Sequence, residues 1–174
     1  MNCDPFTCGH QQLITTASQQ CEWVYVFVLS EDKGFFSAEN RLEMVKQGTK
    51  HLSNVTVLPT GPYLISAATF PTYFLKDDTT VGAAQCQLDI AVFSKYYIPH
   101  FGITKRFVGE EPFCPITRQY NEALKSNLPI PVIEIPRFEI NGTAVSAGAV
   151  RKLLKSGNSE AAAALVPETT VAFF

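Results

Sequence analysis

The chain has 174 residues, of which 46% are hydrophobic and 17% are charged, and its formal net charge is −2. This length allows one domain with a sizeable core, and the composition excludes a disordered segment. The near-neutral charge also excludes a polybasic protein that binds nucleic acid or an anionic membrane surface.

The first part of the sequence alternates predicted helices and strands. Residues 9–20 are amphipathic and predict a helix, and residues 24–29 form an apolar run typical of a strand that is buried on both faces. Ser37 is the predicted N-cap of a second helix, which ends near Gly48. A short second strand is predicted at residues 54–58, just before a proline.

The second part continues the alternation. Helices are predicted at residues 81–97, 116–126, 146–156 and 159–165, and strands at residues 105–109 and 131–135. Alternating strands and helices with short connections predict a three-layer α/β sandwich around a Rossmann-like, mostly parallel sheet, in one domain over residues 1–174. Only residues 1–3 precede the first loop, where a strand normally stands. We therefore expect a truncated first strand, or a chain that is a piece of a longer protein.

Three features of the sequence favour a cytoplasmic protein. Its five cysteines are scattered, without a CxxC pair, which favours reduced thiols over disulfides or a metal site. No stretch has the pattern of a signal peptide. The longest apolar run, at residues 23–29, is too short to cross a membrane.

Residues 4–10, which read DPFTCGH, are the strongest local signal for a binding site. A turn of this kind at a helix start directs backbone N–H groups and the positive end of the helix dipole toward a ligand. Gly9 leaves room for a phosphate to approach the backbone, while Thr7 and His10 can donate hydrogen bonds to its oxygens. The alternative is an ordinary helix start, with a threonine cap and an exposed histidine.

This segment resembles the T-x-G-H signature of the nucleotidyltransferase α/β phosphodiesterase superfamily. Longer stretches, at residues 1–10, 61–75, 106–114, 134–137 and 165–170, resemble the catalytic domain of the [citrate (pro-3S)-lyase] ligase family. The resemblance extends over essentially the whole chain. It implies a five-stranded parallel sheet of nucleotidyltransferase type, and an additional N-terminal domain similar to an acetyltransferase in full-length members.

The resemblance also implies an activity. Members of the family use ATP and acetate to form acetyl-AMP and pyrophosphate. They then transfer the acetyl group to the thiol of a phosphoribosyl-dephospho-CoA arm on the acyl carrier subunit of citrate lyase, which activates the lyase for citrate fermentation. Mg2+ is expected to bind through the phosphates of ATP, with no dedicated metal site in the protein.

Four residues receive phosphate-binding roles from the resemblance in the first part of the chain. His10 would hold an oxygen of the α-phosphate, with Thr7 and Gly9 beside it at the helix start. Lys33 follows the strand at residues 24–29, where superfamily members carry a phosphate-binding lysine. Its alternative role is that of a solvated loop lysine.

The second superfamily signature, a helix start of the form I-S-S-T/S-x-x-R, reads VSAGAVR at residues 145–151. Ser146 and Arg151 match it, which implies a helix-cap donor and a ligand of the β- and γ-phosphates. Gly148 stands where the signature has a hydroxyl residue. A hydrogen bond to charged phosphate that is lost there costs about 1.5–3 kcal/mol, while the backbone N–H groups of the helix start remain.

Four other charged residues are candidate contacts for the substrate or for the phosphates of the carrier arm: Arg41, Glu110, Arg118 and Arg137. For Arg41 we favour an ion pair with Glu39 or Glu43 on its own helix. Glu110 would position adenosine or a loop, and ordinary surface charge is the alternative for it and for the two other arginines.

Two further functions remain open. An adenylyltransferase of phosphopantetheine type would share the site but would not require acetate. A truncated, inactive remnant would bind nucleotide or the carrier without turnover, and the short first strand and Gly148 both favour it. Acetate dependence separates the ligase from the adenylyltransferase.

Overall fold

The computed structural model describes residues 1–66, 79–112 and 114–174, and for residues 79–83 it describes the backbone only. In chain order the elements are α1 (Cys8–Gln20), β1 (Val24–Val28), α2 (Ala38–Thr49), β2 (Val55–Pro59), α3 (Thr79–Val92), a π-helical turn (Phe93–Tyr97), α4 (Ile98–Phe101), β3 (Arg106–Gly109), α5 (Pro115–Asn127), β4 (Val132–Ile135), β5 (Glu139–Ile140), β6 (Thr143–Ala144), α6 (Ala147–Lys155), α7 (Ser159–Ala163) and α8 (Glu168–Val171). Most of the family-like stretch at residues 61–75 lies outside the described residues.

The elements belong to two compact units. One consists of Met1–Pro59 together with Arg137–Phe174, and the other is Thr60–Pro136. Whether residues 1–174 act as one domain therefore stays a prediction. Every residue of the T-x-G-H turn and of the helix start at residues 145–151 belongs to the first unit.

The four longer strands of the described residues, β1 to β4, form two parallel pairs, which agrees with the predicted parallel pairing. β1 pairs with β2 from Val24 opposite Val55 to Val28 opposite Pro59. β3 pairs with β4, beginning at Arg106 opposite Val132. The predicted helices and strands are all present, with their ends shifted by one or two residues.

The residues before α1 are hydrogen-bonded to the end of β1. The ammonium group of Met1 donates a hydrogen bond to the carbonyl of Phe27, and the carbonyl of Met1 accepts one at 2.9 Å from the amide of Leu29. Met1 thus bonds to the two residues on either side of Val28, which is the hydrogen-bond pattern of parallel strands. Residues 1–3 nevertheless form no regular strand, and a truncated first strand stays a prediction.

Two features of the fold differ from the sequence-based expectation. β5 and β6 form an antiparallel hairpin whose turn residues, Asn141 and Gly142, have φ angles of 52° and 73°. Two-residue strands are too short to show an alternating pattern, and the Asn-Gly pair is the signal from which this hairpin could be predicted. The long helix predicted at residues 81–97 changes to π-helical geometry at Phe93.

The core of the first unit joins the first loop to α2. Phe6 is fully buried and packs with Ile14 of α1, Val26 of β1 and Met44 of α2. Its ring occupies the space beside Gly48, where a Cβ atom would lie 2.4 Å from Cε1 of the phenylalanine. The glycine therefore allows α2 to approach the residue that immediately precedes the T-x-G-H turn.

Substitution of Gly48 tests this close approach. We expect Gly48→Ala to lower the free energy of unfolding by about 1–3 kcal/mol, because a buried aromatic ring must move to admit the methyl group. Urea denaturation measures the change. Gly148→Ala is the matched control, since a Cβ at that helical glycine would lie 3.9 Å from Oγ of Ser146, which is ordinary contact. Equal stability of the two variants would contradict the packing argument.

Candidate functional site

The T-x-G-H turn is closed by reciprocal hydrogen bonds between Thr7 and His10. Thr7 is the N-cap of α1, and its Oγ1 accepts from the backbone N–H of His10 at 3.4 Å. In return, the backbone N–H of Thr7 donates to Nδ1 of His10 at 3.1 Å, and Oγ1 of Thr7 lies 2.9 Å from the same nitrogen. Because Nδ1 accepts from an amide, the ring proton is on Nε2.

Partial burial keeps this histidine neutral. The pKa of His10 is lowered from 6.5 to about 3, mainly by desolvation and to a smaller extent by the positive charges of the N-terminal ammonium and of Arg137. The ring also stacks on Phe6, with centroids 5.9 Å apart. The exposed histidine of the alternative interpretation is therefore wrong, and His10 offers one neutral N–H donor at Nε2.

The lowered pKa of His10 predicts a pH dependence of stability. The unfolded chain, with an ordinary histidine pKa of 6.5, binds more protons than the folded chain down to about pH 3. The contribution of neutral His10 is therefore complete above pH 6.5 and is lost as the pH falls toward 3. We expect the wild type to lose more stability than His10→Gln between about pH 7 and about pH 4.5 in urea denaturation. Equal losses would mean that His10 is not buried.

The start of α1 has fewer available backbone donors than the sequence suggests. The backbone N–H of Cys8 donates to the carbonyl of Leu165 at 3.1 Å, and that of His10 is bound by the threonine cap. A Cβ at Gly9 would make only ordinary contacts, the nearest at 3.6 Å to Oγ1 of Thr7. Packing within the protein therefore does not require this glycine.

The second signature lies at the start of α6, and Asp4 connects it to the first. Ser146 caps α6 as predicted, with its Oγ accepting from the N–H of Ala149 at 3.1 Å. Nη1 of Arg151 donates to the backbone carbonyl of Asp4 and lies 3.5 Å from its Oδ2. At Gly148 a side chain would have room, since a Cβ would lie 4.0 Å from Nη2 of Arg151.

Asp4 is a site residue that the sequence analysis did not identify. Its side chain is buried, and its Oδ2 and Oδ1 accept from the backbone N–H groups of Phe35 and Phe36 at 2.9 and 2.8 Å. The loop between β1 and α2 contains these two residues and the exposed Lys33, so the carboxylate contacts both the predicted lysine loop and Arg151. In the sequence, an aspartate followed by proline indicates only a turn. The contacts that give Asp4 its role join residues 31 or more positions apart, which a sequence pattern does not show.

The structure assigns Arg41 a role that the sequence did not suggest. Its guanidinium is fully buried and donates to the carbonyls of Phe36, Asn2 and Glu31 and to the side-chain oxygen of Asn2. The expected ion pair with a glutamate of its own helix is wrong, because its nitrogens point at the loop and the N-terminal segment. A contact with the carrier arm is also wrong, since no part of this side chain is accessible.

The other candidate contacts lie in different units. Arg137 is in the first unit, and its charge acts on His10. Glu110 and Arg118 are exposed residues of the second unit, after β3 and on α5. The backbone N–H of Glu110 donates to the carbonyl of Ile135 at 2.9 Å, which continues the pairing of β3 with β4.

The described residues contain neither a cluster of metal ligands nor a membrane-spanning helix. Among them, no three His, Cys, Asp or Glu side chains form a group that could hold a metal ion. All five cysteines are free thiols. None of the helices in residues 1–66, 79–112 and 114–174 is both long and apolar enough to span a membrane.

Comparison with known families adds to this geometry. The family model of the citrate lyase ligase C-terminal domain matches residues 1–174. The chain belongs to this family. Its relatives include the [citrate [pro-3S]-lyase] ligases of Klebsiella pneumoniae, 45% identical over 99% of this chain and 53% of the ligase, and of Escherichia coli, 40% identical over 98% and 51%. This member of the citrate lyase ligase family thus spans about half the length of the curated ligases it matches.

More distant similarities confirm the fold class. A phosphopantetheine adenylyltransferase of Corynebacterium efficiens is 30% identical over 72% of this chain and 76% of its own length. A macrolide-efflux protein from Streptococcus pneumoniae matches in structure with a TM-score of 0.60 and 16% identity, over 95% of this chain and 54% of that one. Thermotoga maritima TmcAL, solved with alpha-thio ATP, matches with a TM-score of 0.54 and 13% identity, over 98% and 52%. Together they indicate an α/β fold of nucleotidyltransferase type.

Proposed function

We propose that this domain performs the ATP-dependent chemistry of a [citrate (pro-3S)-lyase] ligase. The reaction joins acetate, by way of acetyl-AMP, to the thiol of the prosthetic group on the citrate lyase acyl carrier subunit. The observation that carries the proposal is the neutral His10, whose Nδ1 is held by Thr7, in a chain of the citrate lyase ligase family. The expected N-terminal acetyltransferase-like domain stays a prediction.

The geometry supports a specific role for each group. Attack of acetate on the α-phosphorus of ATP needs positioning and stabilisation of charge more than covalent catalysis. His10 donates its Nε2–H to an α-phosphate oxygen. Because its pKa is low, the ring stays neutral and acts as a hydrogen-bond donor rather than as an acid. Arg151 and the N-terminus of α6 hold the β- and γ-phosphates of the leaving pyrophosphate, and Lys33 adds a second cation from the loop after β1.

Metal and acceptor complete the proposal. ATP brings Mg2+, which neutralises phosphate charge and keeps several water ligands, so a carboxylate cluster in the protein is not required. The carrier arm bears phosphates, for which Arg137 beside the site and Arg118 on α5 are candidate partners. We keep Glu110 as a positioning group for adenosine. Free cysteines agree with action in the reducing cytoplasm.

One observation weakens the inactive-remnant alternative. Met1 is hydrogen-bonded to the end of β1, so the short N-terminal segment is joined to this strand. Ser146 caps α6, but the hydroxyl that the signature has at position 148 is still missing, so this argument for the remnant remains. The adenylyltransferase alternative is favoured by one observation, the identity with the Corynebacterium efficiens enzyme.

Exchange of labelled pyrophosphate into ATP by the 174-residue chain tests the proposal. We expect exchange that requires acetate, because acetyl-AMP must form before pyrophosphate can return. Exchange that requires dephospho-CoA instead of acetate would support the adenylyltransferase. ATP binding without exchange under either condition would support the remnant and contradict the proposed ligase.

A further inference from the structure

Asp4 has the contacts of a group that organises the site around it. The side chain is 5% exposed, and both carboxylate oxygens accept hydrogen bonds from consecutive backbone N–H groups, those of Phe35 and Phe36. Nη1 of Arg151 lies 3.5 Å from Oδ2 and also donates to the backbone carbonyl of the aspartate. A buried carboxylate is costly unless it is paired and hydrogen-bonded, and this one has both kinds of partner.

The loop after β1 is shaped to receive this carboxylate. A Cβ at Gly34 would lie 2.9 Å from Cγ of Asp4 and 3.0 Å from each of its oxygens. Real Cβ atoms do not approach that closely, so only glycine allows the loop backbone to close over the carboxylate. The same loop carries Lys33 one position earlier.

The guanidinium of Arg151 is folded back toward the start of its helix. Arg151 is in the middle of α6, and its Nη2 lies 4.0 Å from the position that a Cβ at Gly148 would occupy. Asp4 contacts Nη1 of this guanidinium. Because a guanidinium has five N–H donors in a fixed fork, donors remain for an anionic ligand when one nitrogen is held by the aspartate.

We propose that Asp4 is a positioning residue for ATP binding. It holds Arg151 over the N-terminus of α6 and anchors the loop of Lys33 before ATP arrives, so that both cations are arranged in advance. Preorganisation of this kind reduces the conformational entropy that is lost on binding, and it therefore raises the affinity for the ligand. The inference rests on the proposed function, because it assigns Arg151 to the phosphates of ATP.

Titration calorimetry with ATP compares the wild type with Asp4→Asn. The amide removes the charge opposite Arg151 and can accept from only one of the two loop N–H groups. We expect the Kd for ATP to rise about 10-fold to 100-fold, the range for loss of a hydrogen bond to a charged group. The KM for acetate in pyrophosphate exchange is expected to stay unchanged. Glu139→Gln removes one charge from an exposed position of the same unit and serves as the control.

Two further variants separate positioning from a general loss of structure. Gly34→Ala leaves Asp4 chemically intact but displaces its carboxylate, and it should raise the Kd in the same direction even if Asp4→Asn does not fold. Arg151→Met should remove the part of the effect of Asp4→Asn that acts through Arg151, while the part that acts through the loop of Lys33 remains. The rise in the Kd of the double variant is therefore expected to be smaller than the product of the two single rises.

Each outcome decides between the two proposals. An unchanged or lower Kd in Asp4→Asn, or additive effects in the double variant, overturns the positioning role and leaves the proposed function standing. A wild-type chain that binds no ATP overturns the proposed function and the positioning role together. Weaker ATP binding in Asp4→Asn and in Gly34→Ala, with non-additivity toward Arg151→Met, supports the positioning role.

Discussion

The His10→Ala variant is expected to show acetate-dependent pyrophosphate exchange at a rate about 10²–10³-fold below that of the wild type, the usual loss when one preorganised donor to a developing charge is removed. The neutral ring presents a single donor, Nε2–H, because Thr7 holds Nδ1 from the other side. The methyl group of alanine leaves the α-phosphate oxygen without that donor when charge develops on it. Exchange rates at saturating ATP and acetate measure the loss.

The two exposed histidines provide matched controls for this variant. His51→Ala and His100→Ala each remove a solvated imidazole, and both are expected to retain the wild-type rate within about 2-fold. The Kd of His10→Ala for ATP should change much less than its rate, because the donor acts mainly in the transition state. A His10→Ala rate within 2-fold of the wild type would show that His10 does not contact the reacting phosphate.

Replacing Arg41 by alanine is expected to have the largest effect on stability, a loss of about 3–5 kcal/mol from the free energy of unfolding. Its fully buried guanidinium donates to three backbone carbonyls, those of Asn2, Glu31 and Phe36, of which Phe36 is buried and the two others are part-buried. The variant removes these charged donors and leaves a cavity where the side chain packs, and both effects destabilise the folded state. Since a domain is stable by about 5–15 kcal/mol, this change removes a large part of the total.

Urea denaturation followed by circular dichroism measures the loss in Arg41→Ala. Arg118→Ala is the matched control, because it truncates an exposed arginine of α5 and should change stability by no more than about 0.5 kcal/mol. A similar small change in Arg41→Ala would show that its carbonyl contacts contribute little. Arg41 does not contact the phosphates in the proposed site. We therefore expect Arg41→Ala to lower the rate of pyrophosphate exchange only if the loop of residues 31–36 moves.

Local sequence signals predicted the local structure of this protein well. Ser37 and Ser146 were expected to cap helices, and a cap at Thr7 was the alternative to its phosphate-binding role. Each of the three accepts a hydrogen bond from the backbone N–H three residues later. Such caps depend on a few neighbouring residues, so one sequence contains the information needed. The strands at residues 24–29 and 131–135 were equally visible, because apolar β-branched runs have few alternatives.

Long-range contacts explain what the sequence did not predict. Arg41 follows Glu39 and precedes Glu43 on a helix, which is the pattern of a solvated ion pair, yet its partners are carbonyls as far as 39 positions away. Asp4 likewise finds Arg151 at a separation of 147 positions. No periodicity or spacing in a single sequence records such pairs. The T-x-G-H segment was recognised because its chemistry is contained within seven consecutive residues.

Residues far apart in the sequence close the turn around His10, which has a consequence for folding. The backbone N–H of Cys8 at the start of α1 donates to the carbonyl of Leu165, and Arg151 contacts Asp4 across 147 positions. Contacts between distant residues form late, because the entropy of closing a long loop must be overcome before they contribute stability. The turn therefore takes its final form only in the folded unit, and a ligand that binds both signatures would stabilise the folded state alone.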